Sequence, residues 1–187
     1  MSVTDTKIPG YLAGTWTIDP IHSEVGFSVR HMMVSKVRGR FGTFNGTIVT
    51  ASDPAASSAT ASIDLGSVDT GSEQRDGHLR SADFFATDTN KQMTYRSTAI
   101  RHEGSDFVVD GELTIAGVTR PVALTVELNG FGPDAYGGTR AGFSATGEIS
   151  RKDFGITYNA AIEGGGVVIA DKVTLQLEIE AVLDATV

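Results

Sequence analysis

The chain contains no cysteine. That single absence removes disulfides, thiolate nucleophiles and sulfur metal ligands. Positive charge is also scarce. Fifteen Lys and Arg stand against 23 Asp and Glu, giving a formal net charge of −8 and a pI near 4.9. Such a chain repels nucleic-acid phosphates rather than neutralising them, so no nucleic-acid partner is expected, and an anionic membrane surface is disfavoured by the same argument. Long apolar runs are missing too. Nothing approaches the ~18 consecutive apolar residues of a spanning helix, so no transmembrane segment is expected. The first ten residues, through Pro9 and Gly10, have no apolar run and carry Asp5 where a secretion signal is basic, which predicts a cytoplasmic protein. Enzyme signatures are absent as well: no Gly-x-Ser-x-Gly elbow, no Gly-x-x-x-x-Gly-Lys phosphate cradle, no His-Glu-x-x-His.

What is present is period-two patterning, the mark of strands with one dry and one wet face. A length of 187 residues suits one domain. Residues 1–13 read as a flexible N-terminal arm and 14–187 as one β-barrel domain. Trp16 and Ile18 share a face against Thr15, Thr17 and Asp19. Pro20 cannot donate a ladder hydrogen bond and should break this strand from the next. There Val25, Phe27, Val29 and His31 oppose Glu24, Ser28 and Arg30. From Phe41 to Thr50 the pattern is mixed, as at a bulge near Gly42 or Gly46. Further alternations run from Ala59 to Leu65, Met93 to Ile100, Phe107 to Ile115, Val122 to Leu128, Ala141 to Ile149 and Val173 to Ile179. Gly104-Ser105 and Ala116-Gly117 read as hairpin turns, and Asn129–Gly138 and Gly164–Gly166 as glycine-rich loops. One helix signal interrupts them. Thr70-Gly-Ser-Glu73 fits a capping box, opening a short helix that ends at Phe84 and Phe85. The whole reads as all-β: an antiparallel barrel or sandwich of about eight strands with one short helix. A barrel of about eight strands can enclose one small ligand.

Several motifs recur in order along this pattern. They are Trp16-x-Ile-Asp-x-x-His-Ser-x-x-x-Phe27, His31, Gly39-x-Phe41, Arg75-Asp-x-His-Leu-x-Ser-x-Asp-Phe-Phe85, Gly111-x-Leu-Thr-Ile-x-Gly-x-Thr119 and Arg151-x-Asp-Phe-Gly155. Together they resemble the YceI-like family from about Trp16 to the last strand. The resemblance implies a lipocalin-like antiparallel β-barrel with one short helix packed beside it. It also implies an elongated apolar cavity holding a polyprenyl chain, prenyl quinone, fatty amide or similar long-chain molecule. Many members are periplasmic and dimeric, so a homodimer is an expectation of the resemblance, whereas the N-terminus here does not read as a leader.

The residues expected to wall the cavity are Val25, Phe27, Val29, His31, Phe41, Phe84, Phe85, Met93, Tyr95, Leu113 and Phe143. Patterning alone fits a filled core equally well; the resemblance favours a cavity. No catalytic residue, no metal and no cofactor are assigned beyond a noncovalently held isoprenoid or lipid. The competing reading is a metal-dependent enzyme or redox protein built on His22, His31 and His78, since imidazoles suit zinc, copper or iron. His78 with Asp76 and Asp83 also fits a base and its orienter, or equally polar ties between helix and barrel. Arg30, Arg38 and Arg40 bracket a turn, where they are either solvated or aimed at a head group.

Overall fold

A computed structural model describes residues 8–160 and 168–185. In chain order the strands are β1 (Gly14–Ile18), β2 (Glu24–His31), β3 (Ser35–Phe41), β4 (Phe44–Thr50), β5 (Ser58–Asp64), β6 (Val68–Asp69), β7 (Gln92–Glu103), β8 (Asp106–Ile115), β9 (Val118–Pro133), β10 (Thr139–Ser150) and β11 (Ile169–Leu183), with the helix α1 (Glu73–Arg80) between β6 and β7. Every pairing is antiparallel. Hydrogen bonding runs β1-β4-β5-β7-β8-β9-β10-β11 and returns from β11 to β1, closing an eight-stranded barrel. Closure leaves those strands without a free edge, as backbone donors and acceptors require.

The other three segments are continuations. β2 carries β1 onward along the same edge of β11: Ile18 faces Ala181, and after the break Glu24 faces Glu178. In the same way β3 runs into β4, and β5 into β6. Pro20 supplies the first break, as expected from its missing N–H. The second falls at Gly42-Thr43 and the third at a 3₁₀ turn over Leu65–Ser67. Side chains stitch the gaps. The Ser23 hydroxyl donates to Glu180 O and accepts from Glu180 N–H, and Ser67 Oγ accepts from Thr43 N–H.

Inward residues form three apolar clusters. One centres on Leu113, Val122, Leu124 and Phe154, a second on Phe41, Phe44, Leu65 and Val68, and a third on Trp16, Ala141, Phe143 and Ala181. Trp16 is wholly buried and edge-on to Phe131. Its Nε1–H donates to Thr50 Oγ1 (2.8 Å), whose own proton goes to Leu12 O. Residues 1–7 of the expected arm lie outside the described residues. Within the rest of it, the Tyr11 hydroxyl donates to Ala51 O and its ring stands edge-on to Phe131.

Three local expectations need correction. The helix is capped by Ser72, which accepts from Arg75 N–H, and not by Thr70. Thr70 instead gives both its N–H and its hydroxyl to the buried Asp76 carboxylate, so its oxygen is turned away from Glu73. The helix also stops at Arg80, before Phe84 and Phe85, because Ser81 has left helical geometry. Asn129–Pro133 are not loop: β9 continues through them, paired with β10, and a bulge at Gly142/Phe143 absorbs the extra residue. The Gly104-Ser105 and Ala116-Gly117 turns stand as expected, the latter with positive φ at both residues. The Gly164–Gly166 loop lies outside the described residues.

Trp16→Ala should destabilise the barrel by about 3–5 kcal/mol, the range for deleting a buried large aromatic. Trp16→Phe should lose less, chiefly the bond to Thr50. Denaturant melts of the two variants check this ordering.

Candidate functional site: an apolar lumen

Period-two strands bent into a barrel send one face of each strand inward, and here those faces do not meet at the axis. They enclose a lumen of about 590 Å³. Val25, Phe27, Val29 and His31 reach it from β2, Phe41 from β3, Met93 and Tyr95 from β7, Leu113 from β8 and Phe143 from β10. Phe84 and Phe85 reach it from the turn after α1. All eleven expected wall residues therefore border one space. Sequence reasoning passed over Ile18, Val109, Leu124, Leu175, Leu177 and Ile179, which border it too. Their alternation was the available signal.

Two glycines shape the walls. Gly39 lies opposite Phe27, and a Cβ there would come 2.4 Å from Phe27 Cζ. A Cβ on Gly111 would meet the Tyr95 ring at 2.3 Å and Arg96 O at 2.8 Å. Tyr95 lies across that bare backbone, its hydroxyl donating to Val122 O (3.1 Å) and Val109 O (3.3 Å). Burial, helped by Asp110, pushes this phenol up to about 12, so it stays a neutral donor.

Phe131 and Trp16 lie outside the lumen wall, where Phe131 packs edge-on against both Phe143 and Trp16. Elsewhere on the wall, His78, Phe84 and Tyr158 form a cluster of mutually tilted rings 4.8–5.3 Å apart. Arg151 organises the chain there. Its buried guanidinium donates to Ile156 O, Tyr158 O, Ala170 O and Ile169 O. Burial lowers its affinity for a proton, and the four carbonyls replace the water it has lost. No periodicity announces such a residue. Among the described wall residues the ionisable groups besides Tyr side chains are Arg30, His31, Arg75, His78 and Arg151, with no carboxylate.

The histidines are not gathered. His22 precedes β2 and His31 ends it, so roughly 23 Å of strand separates them. His78 Nε2 contacts Asp83 Oδ2 at 2.8 Å. Asp76 meanwhile receives Thr70, so the two carboxylates tie local chain rather than orient one base. Among the described residues the carboxylate–histidine group tight enough for a cation is Asp19, His22 and Glu180. Arg140 already fills it with positive charge, 2.7 Å from Asp19, 2.9 Å from Glu180 and 3.1 Å from Asp134. The Arg140 hydrogen bond, then that of His22, holds the Asp19 carboxyl well below the usual range. This network sits at the β1/β2 break and is structural.

A closed antiparallel barrel around an apolar lumen, with its polar groups committed to holding the walls, defines a lipocalin-like container. The chain belongs to the YceI-like family, whose domain model matches residues 16–181. It is 44% identical over 136 residues to Protein YceI of Escherichia coli O17:K52:H18 (strain UMN026 / ExPEC), covering 72% of this chain and 71% of that protein. A UPF0312 protein of Photorhabdus laumondii is 41% identical over 146 residues, 76% of each chain. Among solved structures, Burkholderia cenocepacia BcnA matches with a TM-score of 0.76 at 25% identity, over 90% of this chain and 99% of that one. The Campylobacter jejuni YCEI protein gives 0.71 at 29%, over 83% and 90%. A Saccharophagus degradans polyisoprenoid binding domain, implicated in plant cell wall breakdown, shares the fold at 21% identity with a TM-score of 0.66, over 93% and 100%.

Two tests follow from this geometry. Gly39→Ala should fold but push the Phe27 ring into the lumen, whereas Gly111→Ala should melt earlier because rigid Arg96 O blocks it; paired thermal melts and crystal structures check this. For Asp19 the folded pKa is depressed, so its contribution is fully present above the ordinary value of about 3.9 and is lost as pH falls through the folded value. Asp19→Asn should therefore lower the melting temperature at neutral pH, with the gap to the parent narrowing in strong acid.

Proposed function

We propose that the protein binds one long apolar molecule in its barrel and acts in the storage, transport or sequestration of that molecule rather than in catalysis. The observation that carries this reading is the continuous apolar wall around a lumen of about 590 Å³, a volume usual for small-molecule sites. A polyprenyl chain, a prenyl quinone and a fatty amide all meet its requirements. Each buried methylene contributes about 0.8 kcal/mol, so an isoprene unit gains roughly 3–4 kcal/mol gross. Association and ordering cost on the order of 4–15 kcal/mol, so a few buried units suffice. The ionisable wall groups set the head group. Arg75 spends Nε and Nη2 on Thr70 and keeps Nη1 without a partner among the described residues, and His31 stands on the same wall with no hydrogen bond from its ring there, which favours a ligand ending in acceptor oxygens. The metal-enzyme alternative draws no support from three histidines that lie apart.

Denaturing extraction of freshly purified protein, followed by mass spectrometry, should release a long-chain compound. Delipidated protein should then bind a series of fatty amides with affinity rising about fourfold per added methylene until the chain outgrows the lumen. Phe143→Asp, which sets a charge in the wall, should abolish retention. Empty extracts together with an affinity that ignores chain length would sink the carrier reading.

A further inference from the structure

The β2–β3 hairpin combines a basic outer face with an apolar tip. Between Val25 and Ser52 the chain carries Arg30, Lys36, Arg38 and Arg40 and not one of its 23 carboxylates. Register puts these cations on the outer face: Arg30 lies opposite Lys36, Ser28 opposite Arg38 and Gly26 opposite Arg40, while Val25, Phe27, Val29 and Val37 face the lumen. Arg40 is near Asp69 at 3.7 Å. Among the described residues, Arg30, Lys36 and Arg38 have no carboxylate within ion-pair distance and all three are exposed.

The tip of the same hairpin is apolar. Met32, Met33 and Val34 are 44%, 57% and 85% exposed. Val34 N–H closes a β-turn onto His31 O, and both central residues have positive φ, 51° at Met32 and 60° at Met33. A turn of that hand favours Asn-Gly, and a side chain with a Cβ adopts it at a cost. The Met32 N–H is tied to Val168 O (2.7 Å), but the two exposed side chains add little burial to offset the disfavoured backbone conformation. Such outliers point towards function.

We propose that this hairpin docks the barrel on an anionic phospholipid bilayer. Met32, Met33 and Val34 enter the interface, and Arg30, Lys36 and Arg38 meet the lipid phosphates behind them. The net charge of −8 does not oppose this. Charges more than a Debye length of about 10 Å from the surface are largely screened, so the bilayer responds to the face presented to it. The inner face of the same two strands is lumen wall, so docking brings the cavity against the solvent in which a long apolar molecule dissolves.

Sedimentation with vesicles tests this without any cargo, so its outcome is separate from that of the extraction and chain-length experiments. The protein should pellet with phosphatidylcholine vesicles containing about one third phosphatidylglycerol, less with phosphatidylcholine alone, and less again as salt rises. Lys36→Gln and Arg38→Gln should each lower the partition coefficient about fivefold, with Arg38→Lys restoring it. The double variant Met32→Asn/Met33→Gly is the sharper probe: it should raise the melting temperature, because the turn is relieved, while reducing vesicle binding. Failure of the parent protein to pellet with the anionic vesicles overturns the proposal. So does vesicle binding by the Asn-Gly variant equal to the parent. A loss of dimer by analytical ultracentrifugation in that variant, with vesicle binding unchanged, would also overturn it and make the tip a contact between copies of the chain.

Discussion

Everything in this barrel depends on a seam. β11 keeps one edge against β10 from Lys172 to Val182 and shares the other between β1 and β2. The five residues between those two segments, Asp19 to Ser23, interrupt the ladder where the cylinder closes. Arg140 reaches across from β10 to Asp19 and Glu180, the Asp19 N–H donates to Glu180 O, and Ser23 exchanges hydrogen bonds with the same residue. A charge-assisted set of this kind is stronger than neutral hydrogen bonds and is oriented by the guanidinium plane. It explains why Ile-Asp-x-x-His-Ser is spelled as it is. Asp19 takes the arginine, His22 and the Ile21 N–H, and Ser23 restores the missing rungs.

Closure then fixes the lumen. Once eight strands are joined, each inward side chain has a set distance to the axis, and volume is decided by side-chain size. Gly39 and Gly111 let Phe27 and Tyr95 lie flat against the wall instead of crossing the axis. The space is therefore a product of specific small residues and not of loose packing. Arg151 does comparable work from outside the sheet: with four carbonyl partners it holds the 3₁₀ turn Arg151–Phe154 and the chain through Tyr158 against the start of β11.

Much of this was legible in the residues. Period-two alternation located the inward face of β2, β8, β9, β10 and β11, because a strand with one wet side must alternate. What alternation cannot convey is continuity. Pro20 looks like the end of a strand, yet the segment beyond it stays on the same neighbour, since pairing is decided by the partner and not by the break. The capping box misled for a related reason: Thr70 and Glu73 have the right spacing, but buried Asp76 competes for the Thr70 hydroxyl from the next turn. Arg151 was invisible because its partners are main-chain carbonyls, which every residue possesses. A net charge of −8 also concealed the carboxylate-free stretch from Val25 to Ser52, because composition averages over a surface that a neighbour meets one face at a time.

The pairing of Trp16 with Leu183 carries a consequence for synthesis. Contact order is high when the first strand must wait for the last, and such topologies fold slowly because a long loop is closed before the contact rewards it. Until β11 emerges, β1 and β10 are open edges, each able to pair with another chain. A nascent molecule therefore has no inside. Only on completion does it acquire an interior, so the last fifteen-residue strand converts a sticky sheet into a vessel.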